Sequence, residues 1–313
     1  MVESKHQWKA WLYLAPAIIL LLIFTVWPII NTVSMAFLVD YDIIAAIGET
    51  NFKFGFDNFK NIIEFDQFKT CLLNTILLCV LTVPLSTIIA LLIAVCLNSI
   101  KPLNRLLQTI YFLPYVTNSI AIGMVFYQMF NILNVSFMGK NDAFVTQSII
   151  NHMLDFFNIA PINWINHGSS YFANIATMVI YIVWNALPFK ILILLGGLQS
   201  VNKQYYDAAK IDGTSRARTL WRITVPLLSP MIAYVVITGF IGGFKEYTSI
   251  VGIFGEKMGP ADAPYRLNTM VGLIYDLISS NQGKAAAGAL ILFAIIFAVT
   301  LINLQVSKKK VHY

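Results

Sequence analysis

Six apolar runs, residues 11–36, 71–97, 106–130, 172–198, 227–244 and 285–304, divide this chain, and runs of about 20 apolar residues are what a helix needs to cross a ~30 Å hydrocarbon layer. Lipid offers no partner to a free backbone amide or carbonyl. Such runs must therefore close their hydrogen bonds internally, as helices rather than open strands. The reading is an all-α, polytopic membrane protein with six transmembrane helices. A charged content of 12% and a mean hydropathy of +0.72 agree, since an ordinary soluble domain carries about 25% charged residues. The first run is too long for the apolar core of a signal peptide and has no small-residue cleavage pattern, so it stays a membrane helix.

Lysine and arginine orient the bundle. Lys5 and Lys9, then Lys101 and Arg105, then Lys203, Lys210, Arg216, Arg218 and Arg222, and finally Lys308, Lys309 and Lys310 all fall on one side of six spans. The opposite connections are longer and mixed, the first setting Lys53, Lys60 and Lys69 against Asp40, Asp42, Glu49, Asp57, Glu64 and Asp66. Both termini, 1–10 and 307–313, and the segment 201–224 are thus expected in the cytoplasm, flanking a membrane domain over 11–306, with 131–170 outside. The net charge of +6 reads as a topology signal, and nothing points to nucleic acid. Cys71, Cys79 and Cys96 all lie in the second run and read as small apolar fillers. His6, His152, His167 and His312 are scattered, so no metal site is expected. The sequence has no Gly-x4-Gly-Lys-Ser/Thr phosphate loop, so no nucleotide cofactor and no catalytic residue of its own is expected.

Between the fourth and fifth runs lies a polar helical hairpin. Good helix formers occupy 204–211, Asp212-Gly213-Thr214-Ser215 breaks the helix, and glycine accepts the left-handed backbone of a tight reversal while Thr214 or Ser215 caps a second short helix. That helix sets Arg216, Arg218 and Arg222 against Leu220, Trp221 and Ile223, one basic and one apolar side. Pro226 and Pro230 stand near the start of the fifth run, where a missing amide costs least.

Within the membrane, helices interrupted by Pro or Gly are the usual places for a polar pathway. In the third run Tyr115 and Ser119 are spaced i, i+4 and are expected on one face near mid-membrane. In the fourth, Pro188 within Trp184-Asn185-Ala186-Leu187-Pro188-Phe189 should kink the helix. In the fifth, Gly239, Gly243 and Glu246 follow i, i+4, i+7 along one stripe. Close helix packing is the competing reading for the two glycines. Lys245 and Glu246 near an outer helix end can snorkel or pair, and Lys190 reads as an anchor near the cytoplasmic end.

Asp207-Ala208-Ala209, three residues, Gly213, nine residues, Ile223, one residue, then Val225-Pro226 resembles the cytoplasmic loop of inner-membrane permeases of binding-protein-dependent ABC importers, with Asp for the usual Glu and Val for Leu. Tyr13-Leu14-Ala15-Pro16-Ala17, Phe56-Asp57-Asn58-Phe59, Phe112-Leu113-Pro114-Tyr115, Leu198-Gln199-Ser200 and Gly283-Lys284-Ala285-Ala286-Ala287 extend the likeness to the maltose-type sugar permeases. The resemblance implies the ABC importer type I permease fold in a bacterial cell membrane and a sugar or oligosaccharide substrate. It implies as partners a second permease, two cytoplasmic ATPase subunits that hydrolyse ATP with Mg, and an extracytoplasmic solute-binding protein. It further implies coupling to the ATPases through Asp207, Ala208, Ala209, Asp212, Gly213, Ile223 and Pro226, and substrate contacts at Tyr115, Ser119, Ala186, Phe189, Gly239, Gly243 and Glu246. A permease for another polar solute such as glycerol phosphate is the alternative. An ion-coupled secondary transporter, which would set ionisable pairs at mid-bilayer, is a further one.

Overall fold

The computed structural model describes residues 7–39, 41, 53–100, 104–135, 144–146 and 148–310. The expectations for Lys5, His6, Asp40, Asp42, Glu49, Lys101 and residues 311–313 lie outside the described residues. In chain order come α1 (Gln7–Leu21), a π-helical turn (Leu22–Val26), α2 (Trp27–Phe37), α3 (Asp57–Ile63), α4 (Asp66–Ser99), α5 (Asn104–Val116) and α6 (Ser119–Phe130). Strands β1 (Leu133–Val135) and β2 (Phe144–Thr146) precede α7 (Ile149–Asp155), α8 (Tyr171–Ser200), α9 (Lys203–Ile211) and α10 (Arg216–Thr219). A second π-helical turn (Leu220–Thr224) leads into α11 (Val225–Leu227), α12 (Ser229–Gly243), α13 (Thr248–Phe254), α14 (Met270–Ile278) and α15 (Gln282–Lys310).

Four stretches, Trp8–Phe37, Asp66–Ser99, Tyr171–Ser200 and Gln282–Lys308, are each long and apolar enough to cross a membrane. Two further spans are bent pairs, Thr109–Val116 with Ser119–Phe130 at 104° and Arg216–Leu227 with Ser229–Gly243 at 71°. The six expected spans are reached when each bent pair counts once, so the third run is not the single helix the sequence suggested, whereas the fifth run is α12 with the bend at its start. At the first break Asn118 leaves the helical region and its side chain accepts from the amides of Ile120 (2.8 Å) and Ala121 (3.4 Å), starting α6 afresh. At the second, Pro230 sits in the first turn of α12 and donates nothing back across Leu228. Pro188, by contrast, lies inside α8 without breaking it. Among the described residues the departures from all-α include the small antiparallel pair β1–β2 and an isolated antiparallel bridge between Leu38 and Phe54.

The chain divides into two compact units, Met1–Phe68 with Leu273–Phe293, and Lys69–Gly272 with Ala294–Tyr313. In the first unit the Asn58 amide caps the end of α2, donating to the carbonyls of Ala36 (3.2 Å) and Leu38 (2.8 Å), and Phe37, Phe54, Phe56 and Phe59 cluster around it. A Cβ on Gly283 would stand 2.7 Å from Asn58 Nδ2, so the fragments around Asn58 and Gly283 meet in one contact that only glycine permits.

The second unit has two apolar clusters. One packs α6, α8 and α13 around Phe126, Phe130, Met178, Tyr181 and Ile250, and the other packs α4, α8 and α12 around Ala90, Ala94, Leu194, Leu228 and Val235. Helices α6 and α13 touch backbone to backbone, because a Cβ on Gly123 would lie 2.7 Å from Gly252 Cα. Asn74 of α4 ties this unit further, donating to the carbonyls of Arg266 (3.0 Å) and Asn268 (2.9 Å) while accepting from the Tyr171 hydroxyl (2.8 Å). The cysteines divide: Cys71 and Cys79 are buried as expected, whereas Cys96 is exposed on α4 and is no core filler.

Candidate functional site

Helices α4, α5, α8 and α12 enclose a cavity of about 290 Å³, whose wall includes Tyr115, Asn185, Phe189, Lys190, Gly239 and Glu246. That volume is near the lower end of the ~300–1,000 Å³ range of small-molecule sites. The Tyr115 and Phe189 rings stack at 5.7 Å with 20° between planes, which gives the wall a flat aromatic face. Ala186 and Gly243 also line it, so six of the seven residues implied for the substrate converge, and Ser119 does not.

Ser119 is displaced by the break at Asn118. It opens α6 instead of continuing α5, so it shares no helix face with Tyr115. Its hydroxyl pairs with that of Tyr181 at 3.1 Å and accepts from Asn185 Nδ2 at 3.4 Å, behind the wall. Glu246 is likewise not on the glycine stripe, because α12 ends at Gly243 and Glu246 belongs to the turn before α13. Gly242 and Gly243 resist helix continuation, and the Glu246 carboxylate accepts the Ser249 amide (3.2 Å) to start the next helix. The turn nonetheless returns Glu246 to the cavity, so it does not snorkel outward as a carboxylate at a helix end would. Gly239 and Gly243 serve both readings, for they line the cavity and would meet Val83 Cγ1 at 3.0 Å and Cys79 Sγ at 2.8 Å if given a Cβ.

Lys190 overturns its reading as an anchor. It is 4% exposed and its ammonium donates to the Val83 carbonyl (3.1 Å), Ser86 Oγ (2.7 Å) and Thr87 Oγ1 (2.9 Å), all on α4. The polar set Thr82, Ser86 and Thr87, one stripe in the middle of α4, was the signal that sequence reasoning passed over.

The hairpin forms as its residues dictate. Asn202 caps α9 by accepting from the Gln204 amide (3.0 Å), and Ser215 caps α10 by accepting from the Arg218 amide (3.4 Å). Between them Gly213 has φ +64°, with its amide on the Lys210 carbonyl (3.1 Å) and the Thr214 amide on the Ala209 carbonyl (2.9 Å). That pair of bonds closes the end of α9 in a Schellman turn. Asp207, Ala208 and Asp212 are exposed, Ala209 is buried, and Ile223 and Pro226 are half-buried. Trp221 departs from the expected apolar side. The π-helical turn shifts the register there and leaves its ring 65% exposed, in a hairpin whose Ile211 is 86% exposed.

The family described as binding-protein-dependent transport system inner membrane component matches residues 82–312, a stretch that holds both the hairpin and the cavity wall. The chain is 29% identical to the arabinooligosaccharides transport system permease protein AraP of Bacillus subtilis, over 95% of this chain and 88% of that one. It is 25% identical to the sn-glycerol-3-phosphate transport system permease protein UgpA of Rhizobium meliloti, over 97% and 96%. Its fold matches a bacterial ABC transporter involved in the import of the acidic polysaccharide alginate, with a TM-score of 0.75 at 20% identity over 97% of this chain and 96% of that one.

Proposed function

Because the chain belongs to the family of binding-protein-dependent transport system inner membrane components, we propose that it is the permease that passes a sugar or oligosaccharide across the membrane through the cavity of α4, α5, α8 and α12. The observation that carries this is the stacked Tyr115–Phe189 pair beside polar wall residues, since an aromatic face packs on the C–H face of a sugar ring while polar groups take its hydroxyls. AraP, a transporter of arabinooligosaccharides by its name, supports the choice of substrate class. The glycerol-phosphate relative keeps the polar-solute alternative in view. Tyr115→Ala should reduce uptake at least about tenfold while the complex still assembles. Wild-type uptake kinetics in that variant would remove the cavity from the pathway.

In this reading the hairpin 201–224 docks on cytoplasmic ATPase subunits, which bind and hydrolyse ATP with Mg, while this chain binds no nucleotide. Exposed Ile211 and Trp221 together with exposed Arg216, Arg218 and Arg222 give it the apolar centre and basic rim of a docking surface. A second permease and an extracytoplasmic solute-binding protein complete the assembly. Both termini and the hairpin face the cytoplasm and 131–170 faces outward, on the charge asymmetry of the loops. Single cysteines at Phe157 and Lys308 in a cysteine-free background test this. A membrane-impermeant thiol reagent on intact cells should label position 157 and spare 308, and the reverse pattern inverts the topology.

A further inference from the structure

The donors of the cavity wall are turned into the protein. Lys190 spends three N–H bonds on α4, the Thr82 hydroxyl donates to the Leu78 carbonyl (2.7 Å), and Ser86 donates to the Thr82 carbonyl (2.5 Å). Thr238 donates to the Tyr234 carbonyl (2.8 Å), and one Asn185 N–H is held by Ser119 Oγ (3.4 Å). What the Thr82, Ser86 and Thr238 hydroxyls offer inward is lone pairs, joined by the Asn185 side-chain carbonyl and the Glu246 carboxylate, which when ionised can only accept. The Tyr115 hydroxyl and the second Asn185 N–H are the main donors left to a ligand.

Resting on the sugar reading, we infer that this cavity selects uncharged, hydroxyl-rich saccharides over uronates and phosphate esters, with Glu246 as the residue that sets the selectivity. Every hydroxyl of a neutral sugar can donate into an acceptor-rich wall. A carboxylate or phosphate is itself an acceptor, so it finds few N–H or O–H groups, and an ionised Glu246 sets a like charge beside it. Removing polar groups from water without new partners is unfavourable, and a like charge beside them adds to the cost. Lys190 adds positive charge to the wall but no hydrogen bond, because its donors are already bonded to α4.

Binding to the purified complex in lipid nanodiscs tests this, using panels of neutral malto-, arabino- and galacto-oligosaccharides, oligogalacturonates of matched length, and glycerol 3-phosphate. The best neutral ligand should bind at least about tenfold more tightly than its uronate counterpart, and Glu246→Gln, isosteric but uncharged and able to donate, should narrow that ratio to about threefold or less. The unfolding temperature should stay near that of the native complex. Uronates binding as well as neutral sugars, or a ratio unchanged in Glu246→Gln, would overturn the inference and leave the sugar reading standing. Binding of glycerol 3-phosphate alone, or of no neutral oligosaccharide, would take down both.

Discussion

Gly213→Val should strip the ATPase subunits from the purified transporter, or leave them bound with hydrolysis no longer stimulated by loaded solute-binding protein. A Cβ at this position meets nothing within 4 Å, so crowding is not the cause. The cost comes from the backbone. At φ +64° a β-branched residue is strained by at least about 1–2 kcal/mol, and relief would open the Schellman turn that fixes the angle between α9 and α10. Asp207→Lys acts on the same surface by charge instead. Asp207 is exposed and held by Lys210 at 3.5 Å, an exposed pair that contributes little to folding, so its reversal should leave the fold intact while setting a like charge against the ATPase arginine that the family resemblance implies opposite it, at a cost of several kcal/mol of association. Both variants should insert in the membrane at native levels. Full ATPase association and stimulated hydrolysis in the double variant would show that the hairpin is not the coupling element.

The second large effect is expected at the bolt between α4 and α8. Ser86→Ala with Thr87→Val removes two of the three acceptors of Lys190 and strands a buried ammonium, which should lower stability by about 3–5 kcal/mol. Adding Lys190→Met should recover most of that loss, because an apolar chain of similar length no longer needs the acceptors. Unfolding temperatures in detergent for the native, double and triple variants measure the cycle. A triple variant no more stable than the double, or a double variant as stable as the native chain, would contradict this account of Lys190.

Local chemistry was the legible part of this molecule. Run length and apolarity gave the spans, because lipid permits only self-satisfied helices. The hairpin came from Gly213, Ser215 and the helix formers around them, since caps and left-handed turns depend on residues a few positions apart. Asn118 could have been read in the same way, as an N-cap set just after Pro114, and it would have predicted the 104° bend.

Which helices stand side by side was beyond the reach of the sequence. Lys190 looked like an anchor because its partners lie more than a hundred residues earlier in α4, and a period of 3.6 residues carries no information about neighbouring helices. Glu246 and Gly239 shared a stripe on paper, and share a wall in space by another route, a turn after Gly243. Spans, caps and turn fixed the parts of this protein within the reach of local backbone bonds. The convergence of Tyr115, Phe189, Lys190 and Glu246 on one cavity, and with it the balance of donors and acceptors that a ligand meets, was decided only when α4, α5, α8 and α12 packed together, because burial and hydrogen-bond partners are properties of the assembled helices and of none alone.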